Sequence, residues 1–220
     1  MATLQSFPCA PLSVAEVRTM KTSVFVFPYL LALMVPTQAE PASKRNGSAP
    51  AKPGTPRYKE ESPMPEGWPA PGPFDQVARK KYPAYRAAFT ADDRPNGGFW
   101  TLFKHIERNN IPMTAPVEMK LDAEDTKAEK MERMAFLYQS TAVGKTGADG
   151  EEVEVRDVPA AEALSYAWQG PRSKASTARA ALEAELAKQG LKAKSWRLLG
   201  YNSPFVPRSK QTHELQALLD

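Results

Sequence analysis

The chain has 220 residues, of which 21 are proline and only 12 are glycine, and its formal net charge is +4. Nine of the prolines fall between residues 40 and 73, a density that prevents helices and central strands from forming. About 147 residues remain, which suits one compact domain and argues against a separate cofactor domain. These residues include 22 basic and 20 acidic side chains, a balance that disfavours a nucleic-acid partner.

The N-terminal segment 1–39 has the order of a secretory signal peptide. An apolar run at 24–35 follows Lys21 and precedes a short small-residue sequence that ends at Ala39. The run is too short to span a bilayer comfortably, and this order is typical of exported proteins. We expect cleavage after Ala39, export to the periplasm or the medium, and no stable membrane span, with residues 1–19 as a mis-assigned upstream start. An uncleaved membrane anchor is the alternative.

The only cysteine, Cys9, lies in the segment that cleavage would remove. The mature chain would then have no thiol, which excludes disulfides, zinc–thiolate sites and a cysteine nucleophile. Residues 40–73 are predicted to be a disordered, proline-rich linker, and residues 74–220 are predicted to be the folded domain.

The predicted elements of the domain form one pattern twice: strand, helix, strand, strand. The first helix is indicated by apolar residues at i, i+3, i+4 and i+7, namely Phe99, Leu102, Phe103 and Ile106. Gly190 is expected to cap the second helix at its C-terminus. The predicted strands are 76–90, 113–121, 133–139, 153–168, 195–201 and 213–218, and the second helix is 176–189. The pattern predicts an α+β fold in which a duplicated βαββ unit forms a distorted antiparallel β-barrel or curved sheet flanked by two helices.

A distinctive motif, Ile-Pro-Met-Thr-Ala-Pro-Val, occupies residues 111–117. Its two prolines predict an irregular, exposed crossing in which Met113 can face a pocket. The motif resembles the signature of the SOUL haem-binding protein family, whose Met-Thr-Ala-Pro-Val stretch follows the first helix. Three further stretches resemble the family in the same order: Tyr-Pro-Ala-Tyr at 82–85, Phe-Trp-Thr-Leu-Phe-Lys-His-Ile at 99–106 and Gly-Tyr-Asn-Ser-Pro-Phe at 200–205.

The resemblance covers residues 74–220 and implies a duplicated βαββ barrel and a tetrapyrrole ligand, with haem bound non-covalently. A haem needs an apolar slot, cations for its two propionates and, in some proteins, an axial ligand. Phe99, Phe103 and Met113 are the apolar candidates, with ordinary core packing as the alternative. The resemblance implies propionate contacts from Lys104, Arg108, Arg208 and Lys210, each of which is otherwise a solvated surface charge.

The chain has only two histidines. His105 lies at the margin of the apolar stripe of the first helix and is the candidate axial ligand of the iron. His213 stands where the family usually has asparagine, and the adjacent Glu214 would orient its ring. No general ligand position of the family maps onto either histidine, so binding through apolar contact and propionate charge, without strong axial ligation, is the favoured form of the hypothesis.

A second function class is a binding module for a different hydrophobic or cationic small molecule. The duplicated architecture resembles bacterial effector-binding domains of the gyrase-inhibitor type, and Glu214 would then be the pocket carboxylate. The sequence shows no Ser-His-Asp order, no metal-ligand cluster and no phosphate-binding loop. We therefore expect a monomeric binding protein and not an enzyme.

The export hypothesis makes a direct prediction about the mature chain. If the signal peptide is cleaved after Ala39, mass spectrometry of the protein from its own host will give Glu40 or a near neighbour as the first residue. A mature protein that retains residues 24–35 would contradict cleavage and favour the membrane anchor.

Overall fold

The domain is built on one nine-stranded antiparallel sheet with two helices on one face. A computed structural model describes residues 58–91 and 97–220. The strands are β1 (Val77–Tyr82), β2 (Tyr85–Thr90), β3 (Val117–Leu121), β4 (Met131–Leu137), β5 (Gly147–Asp149), β6 (Val153–Val158), β7 (Ala161–Gln169), β8 (Ser195–Gly200) and β9 (Thr212–Leu218). The helices are α1 (Gly98–Arg108) and α2 (Ala175–Gln189), and short 3-10 turns occupy Arg172–Lys174 and Arg208–Lys210.

The sheet confirms the α+β class and the internal duplication. Its order is β1-β7-β9-β8-β3-β4-β2-β6-β5, so the triplet β2-β4-β3 mirrors the triplet β7-β9-β8 across the β3–β8 pair. The edge strands β1 and β5 do not pair with each other in the described part of the chain. The sheet is therefore curved and open, and the expectation of a closed barrel is wrong.

Each half of the duplication begins with two strands where the sequence pattern predicts one. The predicted strand 76–90 is interrupted between β1 and β2 at Pro83, and the predicted strand 153–168 is interrupted between β6 and β7 at Pro159. A proline has no backbone N–H to give to the strand ladder, so the chain bends at both places. The bend lets each first strand pair with the opposite half: β1 pairs with β7, and β6 pairs with β2.

Both helices form where the sequence predicts them. Leu102 and Ile106 of α1 are buried against the apolar side chains of β2, β4 and β6. Leu182 and Leu186 of α2 are buried against β7, β8 and β9. Gly190 ends α2 in the left-handed conformation at φ 65°, as its capping role requires. No helix in the described ranges is both long and apolar enough to cross a membrane.

The second face of the sheet is covered by residues 58–73, which we call the strap. The Trp68 ring is 6% exposed and lies 4.9 Å from the Tyr82 ring and 5.2 Å from the Tyr85 ring, measured between centroids. The Glu66 amide donates to the Gln139 carbonyl at 2.8 Å. The strap therefore belongs to the folded domain, although its proline content predicts a disordered linker.

The physical reason is that proline prevents regular hydrogen-bonded structure but does not prevent side-chain burial. The strap has no helix and no strand, and it is held by aromatic packing and a few backbone hydrogen bonds. The rest of the predicted linker, 40–57, and the predicted signal peptide, 1–39, lie outside the described residues.

Replacing Trp68 with alanine tests whether the strap is part of the folded unit. We expect Trp68→Ala to lower the free energy of unfolding by about 3–5 kcal/mol, because it removes a buried indole and leaves a cavity. Denaturant-induced unfolding, followed by circular dichroism, measures this change. The matched control is Trp100→Ala: its indole is 62% exposed, so we expect a change within about 0.5 kcal/mol. Equal effects of the two substitutions would contradict the packing of the strap.

Candidate functional site

A strip of apolar side chains remains partly exposed between the two helices. Its members are half-buried and pack against the core beneath α1. Met134 also packs against the core beneath α2, which places the strip between the helices. We call these residues the α1 strip: Phe99, Phe103, Met113, Val117 and Met134.

The aromatic rings of α1 give the strip a flat apolar surface. Phe99 and Phe103 are one helical turn apart, and their rings are nearly parallel at 11°, with centroids 6.2 Å apart. The edge contact of Phe99 with the buried Phe136, at 5.1 Å, anchors this pair to β4. Trp100 is 62% exposed and lies 5.8 Å from Phe103, so it extends the apolar surface toward solvent.

The motif at 111–117 anchors one end of the strip. The Thr114 hydroxyl is buried and donates to the Leu137 carbonyl at 2.5 Å, and the Ala115 amide donates to the Pro63 carbonyl of the strap at 3.0 Å. The segment before β3 is irregular, as its prolines predict, but it is mostly buried and only Pro112 is exposed. Met113 stays half-buried and reaches the strip.

Two of the four predicted cations, Arg208 and Lys210, lie in the β8–β9 loop, which forms hydrogen bonds to Glu61 of the strap and to Gln169 and Gly170 at the end of β7. The loop leaves the sheet after Gly200, and Gly200 is paired with Val117 of the strip. Both cations are exposed, and neither forms an ion pair within 58–91 or 97–220. Phe205, in the same loop, is 93% exposed.

The other two predicted cations, Lys104 and Arg108, lie on the opposite flank of α1. They line a cleft of about 450 Å³ together with residues of the β5–β6 turn, Asp149 to Glu152. An Arg108 guanidinium nitrogen lies 2.5 Å from a carboxylate oxygen of Asp149. The structure therefore does not bring these two cations together with Phe99 and Phe103.

His105 is buried and both of its ring nitrogens are engaged. Nδ1 contacts the Asp149 carboxylate, and Nε2 lies 2.7 Å from the Tyr138 hydroxyl. His105 and Arg108 lower the pKa of Asp149, whereas burial and the nearby Asp149 raise the pKa of Tyr138 to about 12. With Nδ1–H donating to Asp149, the Nε2 lone pair accepts from Tyr138 and is not free for iron. The arrangement does not support His105 as an axial ligand.

Glu214 lies on the sheet face opposite the helices and is fully buried. Its carboxylate accepts hydrogen bonds from Lys80 Nζ at 2.7 Å, the Tyr82 hydroxyl at 2.6 Å and Gln216 Nε2 at 2.7 Å. His213 lies on the helix face, where its ring contacts Trp168, because adjacent strand residues point to opposite faces. The expectation that Glu214 orients the His213 ring is therefore wrong.

A second buried carboxylate, Glu118, pairs with Arg197 on the same face as Glu214. Arg197 Nη1 lies 2.9 Å from a Glu118 oxygen and 2.9 Å from the Tyr85 hydroxyl, and Arg197 Nε donates to Gln216 at 2.7 Å. The neighbouring cavity measures about 120 Å³, well below the roughly 300–1,000 Å³ of ordinary ligand pockets. Both carboxylates have internal cations and the strap covers them, which disfavours a pocket for a cationic ligand.

The contacts of this polar network were not predicted from the sequence. Its signal is the alternation of polar residues within apolar strands, such as Glu214 and Gln216 in β9. No group of three or more His, Cys, Asp or Glu side chains in the described ranges has the arrangement of a metal site.

Comparison with solved structures supports the fold. The C-terminal domain of EcmrR superposes with a TM-score of 0.52 at 16% sequence identity, over 66% of this chain and 97% of that chain. A hydrolase from Listeria innocua superposes with a TM-score of 0.52 at 12% identity, over 67% of this chain and 93% of that chain. At these identities the likeness extends to the fold alone. A comparison with curated proteins gives no match.

The family comparison agrees with the motifs and the architecture. The family model described as SOUL heme-binding protein matches residues 74–217, which include both helices, the motif at 111–117 and the loop that carries Arg208 and Lys210. The match thus spans the duplicated fold and the whole α1 strip. The chain belongs to the SOUL haem-binding protein family.

Proposed function

We propose that this chain is an exported haem carrier or buffer that holds haem non-covalently against the α1 strip. The observation that carries the proposal is the group of apolar side chains left half-exposed between the helices, at the place where the family motif lies. Contiguous exposed apolar surface is uncommon on monomeric proteins and marks interaction sites.

The strip can supply the main part of the binding free energy. Burial of a fully exposed phenylalanine or methionine side chain contributes about 1.5–3 kcal/mol. The strip residues are already half-buried, so each contributes a fraction of that value when a flat ligand covers it. Trp100 contacts Phe103 of the strip and is 62% exposed, so its ring is available to cover an inserted ligand.

The two loop cations suit the charged edge of the ligand. Haem carries two propionates, and Arg208 and Lys210 are cations with no internal carboxylate partner in the ranges that the structure describes. Because both are exposed, each contact is worth only about 0.2–1 kcal/mol and weakens with salt. The apolar strip supplies affinity, and the cations orient the ligand.

A bound haem would supply an iron centre and strong visible absorption. The protein's own groups bind and orient it: the strip excludes water from one face, and the loop holds the propionates. The strip consists of apolar side chains, which suits binding of a flat ligand. The apolar run at 24–35 supports export.

Haemin titration into the full-length chain tests the proposed function. We expect a Soret band that grows to saturation at one haemin per chain. Phe103→Ala is expected to weaken binding about tenfold, because it removes part of the apolar surface, and tenfold corresponds to about 1.4 kcal/mol. The absence of saturable Soret growth in the wild type would overturn haem binding.

The matched control is Phe74→Ala. Phe74 is also partly buried, but it lies beside β7, outside the α1 strip. We expect its substitution to leave haemin affinity unchanged within a factor of two. An equal loss in both variants would show that the effect of Phe103 comes from general destabilisation.

A pair of double variants separates the two sets of cations. We expect Arg208→Gln with Lys210→Gln to weaken haemin binding about threefold to tenfold at low salt, and less at high salt. Lys104→Gln with Arg108→Gln removes the same charge from the opposite flank of α1 and should change affinity less than twofold. A larger loss in the second pair, measured by the same titration, would move the propionate site to the α1–Asp149 cleft.

A further inference from the structure

His213 is a buried histidine without a hydrogen-bond partner. The residue is 8% exposed, and neither Nδ1 nor Nε2 has a partner among the described residues. A buried polar group without a hydrogen-bond partner is unfavourable, and such groups are uncommon in folded proteins. His105 is also buried, but both of its ring nitrogens have hydrogen-bond partners. Of the two histidines, His213 is therefore the one whose ring nitrogens have no partner among the described residues.

In the register of the sheet, one strand, β8, lies between His213 of β9 and the nearest strip residue, Val117 of β3. Trp168 of β7, His213 of β9, Gly200 of β8 and Val117 of β3 form one row across the helix face. Residues paired directly across antiparallel strands point to the same face and lie about 5 Å apart. The row therefore leads from His213, past Gly200, to Val117 of the strip.

Gly200 is the member of this row that has no side chain. A Cβ atom at Gly200 would lie 3.5 Å from the Met119 methyl group, which is the nearest side-chain atom there. Methionine is unbranched and flexible, so its methyl group can move when another group enters. The Met119 methyl group therefore lies over Gly200, the residue between His213 and Val117 in the row, and it has to move before a ligand on the strip can reach the imidazole.

The imidazole is in the protonation state that a metal requires. Burial and the nearby Arg172 lower the pKa of His213 to about 4, so the ring is neutral at physiological pH. The acidic neighbour in sequence, Glu214, lies on the other face of the sheet with its own partners. Trp168, whose ring centroid is 5.4 Å from that of His213, supports the imidazole on one side.

We propose that His213 is the axial ligand of the haem iron in this chain. This inference rests on the haem binding proposed above and adds the atom that holds the iron, an imidazole nitrogen of His213. The step is a coordination bond: the neutral nitrogen donates its lone pair to ferric iron and displaces a water molecule, with no change in oxidation state.

Resonance Raman spectroscopy of the reduced haem complex tests the ligand directly. We expect an iron–histidine stretching band in the wild-type full-length chain, and we expect that band to shift when the histidines carry ¹⁵N. This measurement needs no substitution. Haemin uptake without such a band would overturn the ligand and leave the proposed haem binding intact, whereas no haemin uptake at all would overturn both.

Two matched variants assign the band to one histidine. His213→Asn is expected to lose the band and to regain an iron–imidazole band when imidazole is added, with haemin affinity reduced tenfold or less. His105→Asn is expected to keep the band. Gly200→Ala adds a methyl group in van der Waals contact with Met119, so it should hinder the movement of Met119 and weaken the band although His213 is present. A band that persists in His213→Asn, or that disappears in His105→Asn alone, would refute the proposal.

Discussion

Two helices can cover only one face of a nine-stranded sheet, and the rest of this structure follows from that constraint. α1 and α2 bury the helix face of the two halves, and the opposite face would be left to water without another cover. The strap supplies that cover with Trp68, and the face beneath it contains the Glu118–Arg197 and Glu214–Lys80 ion pairs. Buried charges are tolerated only when they are paired. On this face Arg197 and Lys80 already pair with the two carboxylates, and the strap covers both pairs.

The closure of one face leaves the helix side as the face with partly exposed apolar side chains. On the helix side, α1 and α2 cover separate parts of the sheet, and the central strands β3 and β8 run between them. Apolar side chains of α1 and β3 remain half-exposed there, and the loop with Arg208 and Lys210 begins at the same end. The two faces of the sheet therefore differ. One carries paired charged side chains beneath the strap, and the other carries apolar side chains that are partly exposed.

Much of this architecture could be predicted from the sequence, because periodicity and proline positions report local structure. The apolar spacing in α1 and the glycine after α2 were sufficient for both helices. The strap was missed because proline density describes the backbone and not the side chains, although an aromatic residue such as Trp68 is unusual in a linker. Its partners, Tyr82 and Tyr85, are remote contacts that no local pattern contains.

The candidate site was likewise only partly predictable, because some of its contacts join residues that are remote in sequence. The apolar residues Phe99, Phe103 and Met113 do come together, but Lys104 lies on another flank of α1. A helical rotation of about 100° per residue separates Lys104 from Phe103, and this signal was available in the sequence. The engagement of His105 by Tyr138 was not available, because it depends on the packing of α1 over β4.

The exchange of first strands between the halves has a consequence for folding. Val77 of β1 pairs with Tyr166 of β7, so neither half completes its sheet before most of the chain has been made. Such pairing between distant segments raises the contact order and slows the search for the native state. It also makes the duplicated halves interdependent: cutting the chain between them would leave each with an unpaired strand edge, so they should unfold as one cooperative unit.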